Sequence, residues 1–205
     1  MIAIVDYGMG NLRSVEKAFL KIGAKVNVTD KPSDLDNAEA IVLPGVGAFG
    51  DCMRNLQEKD LLEAVLSSIK KGKPYLGICL GLQILFEESE EFGLNRGLGI
   101  IPGRVRRFSF KNKGLKIPHM GWNSIKILKR APIFKEIPEE SYFYFVHSYY
   151  VEPSDTSVIS TITEYGHPFV SSIWKDNIIA TQFHPEKSQA LGLKVLKGFV
   201  EWVNG

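Results

Sequence analysis

Pro74-Tyr75-Leu76-Gly77-Ile78-Cys79-Leu80-Gly81-Leu82-Gln83 carries a short apolar run into a helical pattern, and the rest of the chain is built around that transition. Pro74 to Ile78 has the length and apolarity of a buried strand. Downstream, Leu82, Leu85 and Phe86 recur at helical spacing ahead of Glu87-Glu88, which predicts a helix. A cysteine with glycines two residues before and two after, between strand and helix, has the form of a nucleophile elbow. Such a turn holds the nucleophile in a strained backbone conformation and needs small neighbours so that a substrate can reach it. It also sets sulfur at a helix N-terminus, where unpaired N–H groups and the helix dipole favour thiolate over thiol. Taken alone, the same residues read more readily as a buried core cysteine beside two incidental glycines. Other parts of a site have to be found elsewhere.

Working outward, strands and helices alternate before the elbow. Ile2 to Asp6 reads as a buried strand, followed by the loop Tyr7-Gly8-Met9-Gly10-Asn11 and a helix striped by Leu12, Val15, Phe19 and Ile22, with Asn11 as N-cap and Gly23 as stop. Lys25 to Thr29 and Ala40 to Leu43 predict two more strands, and Leu61, Leu62, Val65, Leu66 and Ile69 another helix closed by Gly72. This order implies a mostly parallel sheet covered by helices. After Gly97 the pattern changes to strands over Arg104 to Phe108, Trp122 to Leu128, Tyr142 to Val151, Val158 to Thr163 and Phe169 to Phe183, with a hairpin turn at Asp176-Asn177. Ser188 caps a last helix. The expected fold class is therefore α/β, a mostly parallel twisted sheet covered by helices, with added antiparallel strands in the second half.

The length of 205 residues fits one domain spanning 1–205. Lysine and arginine total 25 against 23 acidic residues, a formal +2, so no global field favours nucleic acid or an anionic membrane. No apolar stretch approaches the ~20 residues of a membrane span and no signal pattern opens the chain, so a cytoplasmic protein is expected. Cys52 and Cys79 are too few and too far apart for a disulfide framework, and His119, His147, His167 and His184 lack ligand spacing, so no metal is expected.

Three other stretches can carry chemistry. Gly8-Met9-Gly10 after a first strand has part of a dinucleotide fingerprint, but Arg13 stands where the third glycine belongs, which disfavours nucleotide binding. Pro44-Gly45-Val46-Gly47 ends the third strand and can turn backbone N–H groups into a cavity, as an oxyanion hole requires. Gln182-Phe183-His184-Pro185-Glu186 closes the last predicted strand. If that strand runs on, His184 and Glu186 face the same way, and the carboxylate can orient the imidazole. Cys79, His184 and Glu186 then form a nucleophile, a proton carrier and an orienting group. Pro118-His119-Met120-Gly121-Trp122-Asn123 reads as a loop, the aromatic run Tyr142 to Tyr150 as a half-buried strand with rings facing outward, and the basic run Arg104 to Lys116 as a solvated hairpin.

Gly77-Ile78-Cys79-Leu80-Gly81-Leu82-Gln83 together with His184-Pro185-Glu186 resembles the class I, triad-type glutamine amidotransferases. Asp6 to Asn11, Pro44 to Gly47, Pro118 to Asn123 and Tyr144 to Tyr149 narrow the resemblance to the glutaminase subunits of imidazole glycerol phosphate synthase in histidine biosynthesis. Leu82 departs from a common methionine without consequence for volume. The resemblance implies a catalytic Cys79, His184 and Glu186, and an oxyanion hole from the Leu80 N–H and one N–H of Gly45, Val46 and Gly47. It implies glutamine bound near Gln83, His147, Ser148 and Tyr149, no cofactor, and a separate cyclase subunit in a heterodimer that receives ammonia. Asn11, Trp122, Tyr144 and Lys187 are the candidates for that interface. An oxyanion hole that the liganded cyclase completes is expected from the flexible Gly45-Val46-Gly47 segment. The alternatives are the glutaminase subunit of another amidotransferase such as anthranilate synthase, a cysteine hydrolase of larger acyl substrates, and a non-catalytic docking subunit.

Overall fold

The computed structural model describes residues 1–110 and 114–205. The first half runs β1 (Ile2–Val5), α1 (Leu12–Lys21), β2 (Val26–Thr29), α2 (Pro32–Asn37), β3 (Ala40–Gly45), α3 (Phe49–Glu58), α4 (Leu61–Lys70), β4 (Tyr75–Cys79) and α5 (Leu80–Gln83). It continues with β5 (Phe86–Ser89), β6 (Asn95–Arg96), β7 (Ile101–Arg107), β8 (His119–Ser124), β9 (Lys126–Ile127), β10 (Tyr142–His147), β11 (Tyr149–Pro153), β12 (Ile159–Glu164), β13 (Pro168–Lys175), β14 (Ile178–Thr181) and α6 (Gln189–Val203). Among the described residues the main sheet has the order β2-β1-β3-β4-β14-β13-β11-β7-β5-β6, with β12 and β9 branching from β13. β2, β1, β3, β4 and β14 are mutually parallel, whereas β13 and β11 continue the sheet antiparallel, as the α/β pattern followed by alternating strands led one to expect.

Strands β1, β3 and β4 are buried on both faces, so their alternate residues feed two cores. Ala3, Val5, Ile41, Leu43 and Tyr75 pack with Leu35, Phe49, Leu56, Leu61 and Val65 of the helices on one side. Ile2, Ile4, Val42, Leu76 and Ile78 pack on the other side with Val15 and Phe19 of α1 and Val195, Leu196 and Phe199 of α6. Phe19 and Phe199 meet edge to face with ring centroids 6.4 Å apart, which ties α1 to α6.

Four expectations need correction. The helix after Cys79 is a single turn, and Phe86–Ser89 is a strand. Pairing of β5 with β7 overrides the helical spacing of Leu82, Leu85 and Phe86, and the Leu85 carbonyl accepts from the N–H groups of Ile100 and Ile101. Pro118 to Asn123 is not a loop: His119–Ser124 is β8, paired antiparallel with β10 in a separate two-stranded sheet. Arg104–Arg107 belongs to β7 between β5 and β11 and forms no hairpin of its own, while Lys111 and Lys113 of the same basic run lie outside the described residues. Ser188 and Asn11 hold helix N-cap positions, but neither side chain caps its helix.

Candidate active site

Cys79 ends β4 with φ 55° and ψ −101°, a backbone region that costs a non-glycine residue about 1–3 kcal/mol. Closure of the turn holds it there. A Cβ at Gly77 would collide with the Gly81 carbonyl oxygen and one at Gly81 with the Leu43 carbonyl oxygen, while the buried Tyr75 hydroxyl donates to the Gly81 carbonyl at 2.8 Å. The two glycines therefore serve close backbone approach inside the elbow, more than access for a substrate.

Neighbouring parallel strands bring the other parts. Gly45 at the carboxyl end of β3 is the register partner of Cys79, and Thr181 at the end of β14 is the partner of Ile78. The segments that leave β3, β4 and β14 thus emerge side by side, where sites gather in open α/β sheets. β14 stops at Thr181, so His184 and Glu186 do not share a strand face as expected. His184 is extended, and a 3-10 turn over Pro185–Lys187 folds Glu186 back beneath it. The His184 Nδ1–H donates to Glu186 Oε1 at 2.8 Å with both side chains 2% exposed. The segment is clamped by β10: the His184 N–H donates to the Tyr144 carbonyl at 2.9 Å. Ser188 Oγ donates to the His184 carbonyl at 2.6 Å and accepts from the Tyr144 N–H at 3.0 Å, which occupies the hydroxyl that sequence assigned to capping.

Burial pushes the His184 imidazole down, but the Cys79 sulfur beside it and the Glu186 carboxylate outweigh that effect and raise its pKa to about 10. The ring is thus held protonated at neutral pH, with Nε2 buried and free of other hydrogen bonds.

A cavity of about 420 Å³ opens over the elbow. Cys79, Leu80, Val46, Gly47, Gln83, His147, Ser148, Tyr149 and Lys187 line it, all of them expected site residues. Gly45, His184 and Glu186 lie outside the lining, and Glu186 borders a second cavity between α1 and α6. Pro118 and Val146, from stretches quoted for the resemblance but not named as site residues, also line the first cavity, as does Glu91, which the sequence did not single out. Glu91 Oε2 accepts from the Phe49 N–H at 2.7 Å, and burial raises its pKa. Nothing in its acidic surroundings, Glu87 to Glu91, marks it in the sequence.

The floor of the site is a hydrogen-bonded network around one backbone oxygen. The Tyr149 carbonyl accepts from His147 Nδ1–H at 2.8 Å and from Gln83 Nε2–H at 3.0 Å. A carbonyl only accepts, so it fixes the His147 tautomer: Nε2 then accepts from His119 Nδ1–H at 3.0 Å, and His119 Nε2 from Asn123 Nδ2–H at 3.2 Å. Burial pushes both rings down, His147 to about 3 and His119 to about 4, so both are neutral. His147 therefore meets the cavity with both ring nitrogens engaged. Gln83 Nε2 also donates to Gln182 Oε1 at 3.2 Å, leaving Gln83 its Oε1 as the remaining polar atom.

Trp122 and Tyr144 are register partners on β8 and β10, with rings edge to face at 6.1 Å, and Lys187 Nζ stands 5.9 Å from the Tyr144 ring centroid. With Met120 and Tyr142 exposed on the same face, they form an apolar surface at the cavity rim. Asn11 is exposed at the start of α1.

The model of the glutamine amidotransferase class-I family matches residues 3–201. The chain belongs to the class-I glutamine amidotransferases. Within that family it is similar to the imidazole glycerol phosphate synthase subunits HisH of Syntrophotalea carbinolica, at 55% identity over 97% of this chain and 98% of the relative, and Geobacter sulfurreducens, at 56% over 98% of each. The Aquifex aeolicus HisH subunit is 53% identical over 96% of this chain and 94% of its own length. The amidotransferase fold recurs in solved structures at lower identity: a glutamine amidotransferase crystal structure at TM-score 0.76 (16% identity, 100% of this chain and 99% of that one) and PurLQS from Thermotoga maritima at 0.73 (19%, 98% and 97%).

Proposed function

We propose that the chain is the glutaminase subunit of an imidazole glycerol phosphate synthase, releasing ammonia from glutamine for a separate cyclase subunit. The observation that carries this reading is the meeting of Cys79, Gly45 and the His184–Glu186 pair at the ends of three adjacent parallel strands, under a cavity sized for an amino acid. The HisH relatives support the pathway.

In this reading the Cys79 thiolate attacks the side-chain carbonyl carbon of glutamine, and the oxyanion is held by the Leu80 N–H and an N–H from Gly45 to Gly47. The C–N bond breaks as protonated His184 gives its proton to the departing nitrogen, so ammonia leaves and a γ-glutamyl thioester remains. Water then adds to the thioester, giving a proton to His184. Glutamate leaves, and the thiolate is restored. Glu186 keeps the imidazole oriented throughout and stabilises its charged form before ammonia leaves and again once water has given up its proton. Gln83 Oε1 and the 147–149 backbone hold the amino-acid end, and Glu91 Oε1 is placed to receive the α-ammonium group.

The apolar face of Met120, Trp122, Tyr142 and Tyr144, with Lys187 beside it, supports a heterodimer docked over the cavity mouth, so that ammonia enters the cyclase without meeting solvent. Two free cysteines fit a reducing cytoplasm, and one sheet drawing strands from both ends of the sequence supports one domain over 1–205. The reading requires no cofactor, nucleic acid or membrane.

Glutamate release from glutamine, followed with and without the cyclase and its ligand, tests the proposal. Release that requires Cys79 and rises when the liganded cyclase is added is expected. No release in the complex overturns the glutaminase reading, release by Cys79→Ala overturns Cys79 as the nucleophile, and full turnover by the isolated chain overturns the partner-completed oxyanion hole.

A further inference from the structure

Gln182 is fully buried and directly follows β14, one residue past the Thr181–Ile78 register pair, with its backbone N–H donating to the Ser171 carbonyl at 2.9 Å. Its Nε2 stands 3.6 Å from Cys79 Sγ, within reach of an N–H···S hydrogen bond. The direction of that amide is not free. The Tyr149 carbonyl can only accept, so Gln83 must turn Nε2 toward it; the second hydrogen of the same nitrogen then points at Gln182 and requires Oε1 there. Gln182 is left with its N–H group aimed at sulfur. The reversed amide would set two N–H groups against each other on one side and a carbonyl oxygen against the thiolate on the other.

The shortness of α5 makes this contact matter. A helix of one turn supplies little of the dipole that a full helix would place at the elbow, and the Val146 carbonyl, 4.0 Å from Sγ, offers only an acceptor, which suits the thiol. We propose that Gln182 is a further catalytic residue whose side-chain N–H stabilises the Cys79 thiolate, both as attacking nucleophile and as the group released when the thioester is hydrolysed. The Tyr149 carbonyl and Gln83 act as its positioning groups, so the segment that binds the amino-acid end of glutamine also sets the donor on sulfur. The inference rests on Cys79 being the nucleophile.

The test is the pH dependence of Cys79 alkylation by iodoacetamide, with the adduct located by peptide mass so that Cys52 is not counted. In Gln182→Met the apparent thiol pKa read from the alkylation profile is expected to rise by about one unit, equivalent to about tenfold in the thiol–thiolate equilibrium. The kcat for glutamate release in the cyclase complex should fall by a similar factor with KM within about twofold, a split that simple loosening of the site would not give. An unchanged alkylation profile in a folded Gln182→Met overturns the proposal. Should that variant not fold, the parent protein answers directly: the Gln182 side-chain amide resonance in a 1H–15N spectrum should follow the ionisation of Cys79 and cease to titrate in Cys79→Ala. A resonance indifferent to Cys79 overturns the proposal as well. Neither the alkylation profile nor the amide resonance depends on turnover, so a Cys79→Ala variant that still releases glutamate would strike the nucleophile assignment separately.

Discussion

Gly45 and Cys79 face each other as register partners at the carboxyl ends of two parallel strands, so the glycine loop and the nucleophile are fixed by the same hydrogen-bonded ladder. There is no room for a side chain at Gly45. A Cβ at Gly45 would approach Leu80 Cβ to 2.7 Å and press on the buried Tyr7 hydroxyl. In Gly45→Ala the loop must move off the elbow. Displacing an oxyanion donor costs about 10²–10³ in kcat, while overpacking costs roughly 1–3 kcal/mol of stability. Glutamate release in the cyclase complex should therefore fall far more than the urea midpoint, and KM should change little.

After the Cys79 sulfur, Glu186 is the second group that favours the charged form of His184. Burial alone would leave this imidazole neutral; the sulfur and the carboxylate raise it to about 10. In the proposed mechanism proton delivery to the leaving nitrogen needs the charged ring, so activity should be present below that pKa and lost as pH rises through it. Glu186→Gln keeps the shape but removes the negative charge, so the alkaline limb of kcat/KM should move to lower pH by a unit or more. Each unit corresponds to about 1.4 kcal/mol. A limb at the parent position would show that Glu186 does no more than orient the ring.

The parallel half of the sheet was legible because β1, β3 and β4 are uninterrupted apolar runs, and the elbow was legible because only glycine fits at 77 and 81. What escaped depends on distant pairing. Phe86 sits at helical spacing from Leu82, yet β7 recruits it into a strand. Gly121 and Pro118 made the 118–123 stretch look like a loop, although its partner β10 lies across the chain from it. Glu91 and Gln182 escaped for a different reason. An acidic residue among acidic neighbours and a glutamine beside an obvious histidine have no local mark, and their roles come from what Phe49, Gln83 and Cys79 place against them.

His119 and His147 are buried neutral, and both would titrate near pH 6.5 once unfolded, becoming charged below it. Their folded pKa values lie below the unfolded one, so the unfolded chain binds more protons and stability falls as pH drops below about 6.5. Between pH 6.5 and 5 each ring should contribute a slope approaching about 1.4 kcal/mol per pH unit. His119→Phe retains the stacking on Tyr165 and Phe145, whose ring centroids lie 4.0 and 4.9 Å away, but leaves His147 Nε2 without its donor. Urea unfolding across that range should show an overall loss of stability of about 1–3 kcal/mol at neutral pH and a shallower dependence on acid.

Glu91 is the one carboxylate among the described residues that line the cavity, and its Oε2 is committed to the Phe49 N–H at the start of α3. Oε1 is the atom left for a substrate. Burial raises its pKa, so pairing with an α-ammonium group would draw it back toward the ionised form, and binding and ionisation reinforce each other. Glu91→Gln preserves an acceptor for Phe49 and removes only the charge. KM for glutamine should rise by about tenfold or more, the range expected for losing a charge-assisted contact, with kcat reduced much less. A glutamine analogue lacking the α-amino group separates this role from a structural one. The parent enzyme should use it as poorly as Glu91→Gln does, whereas a variant impaired with glutamine and further impaired with the analogue would show that Glu91 holds α3 in place instead of the substrate.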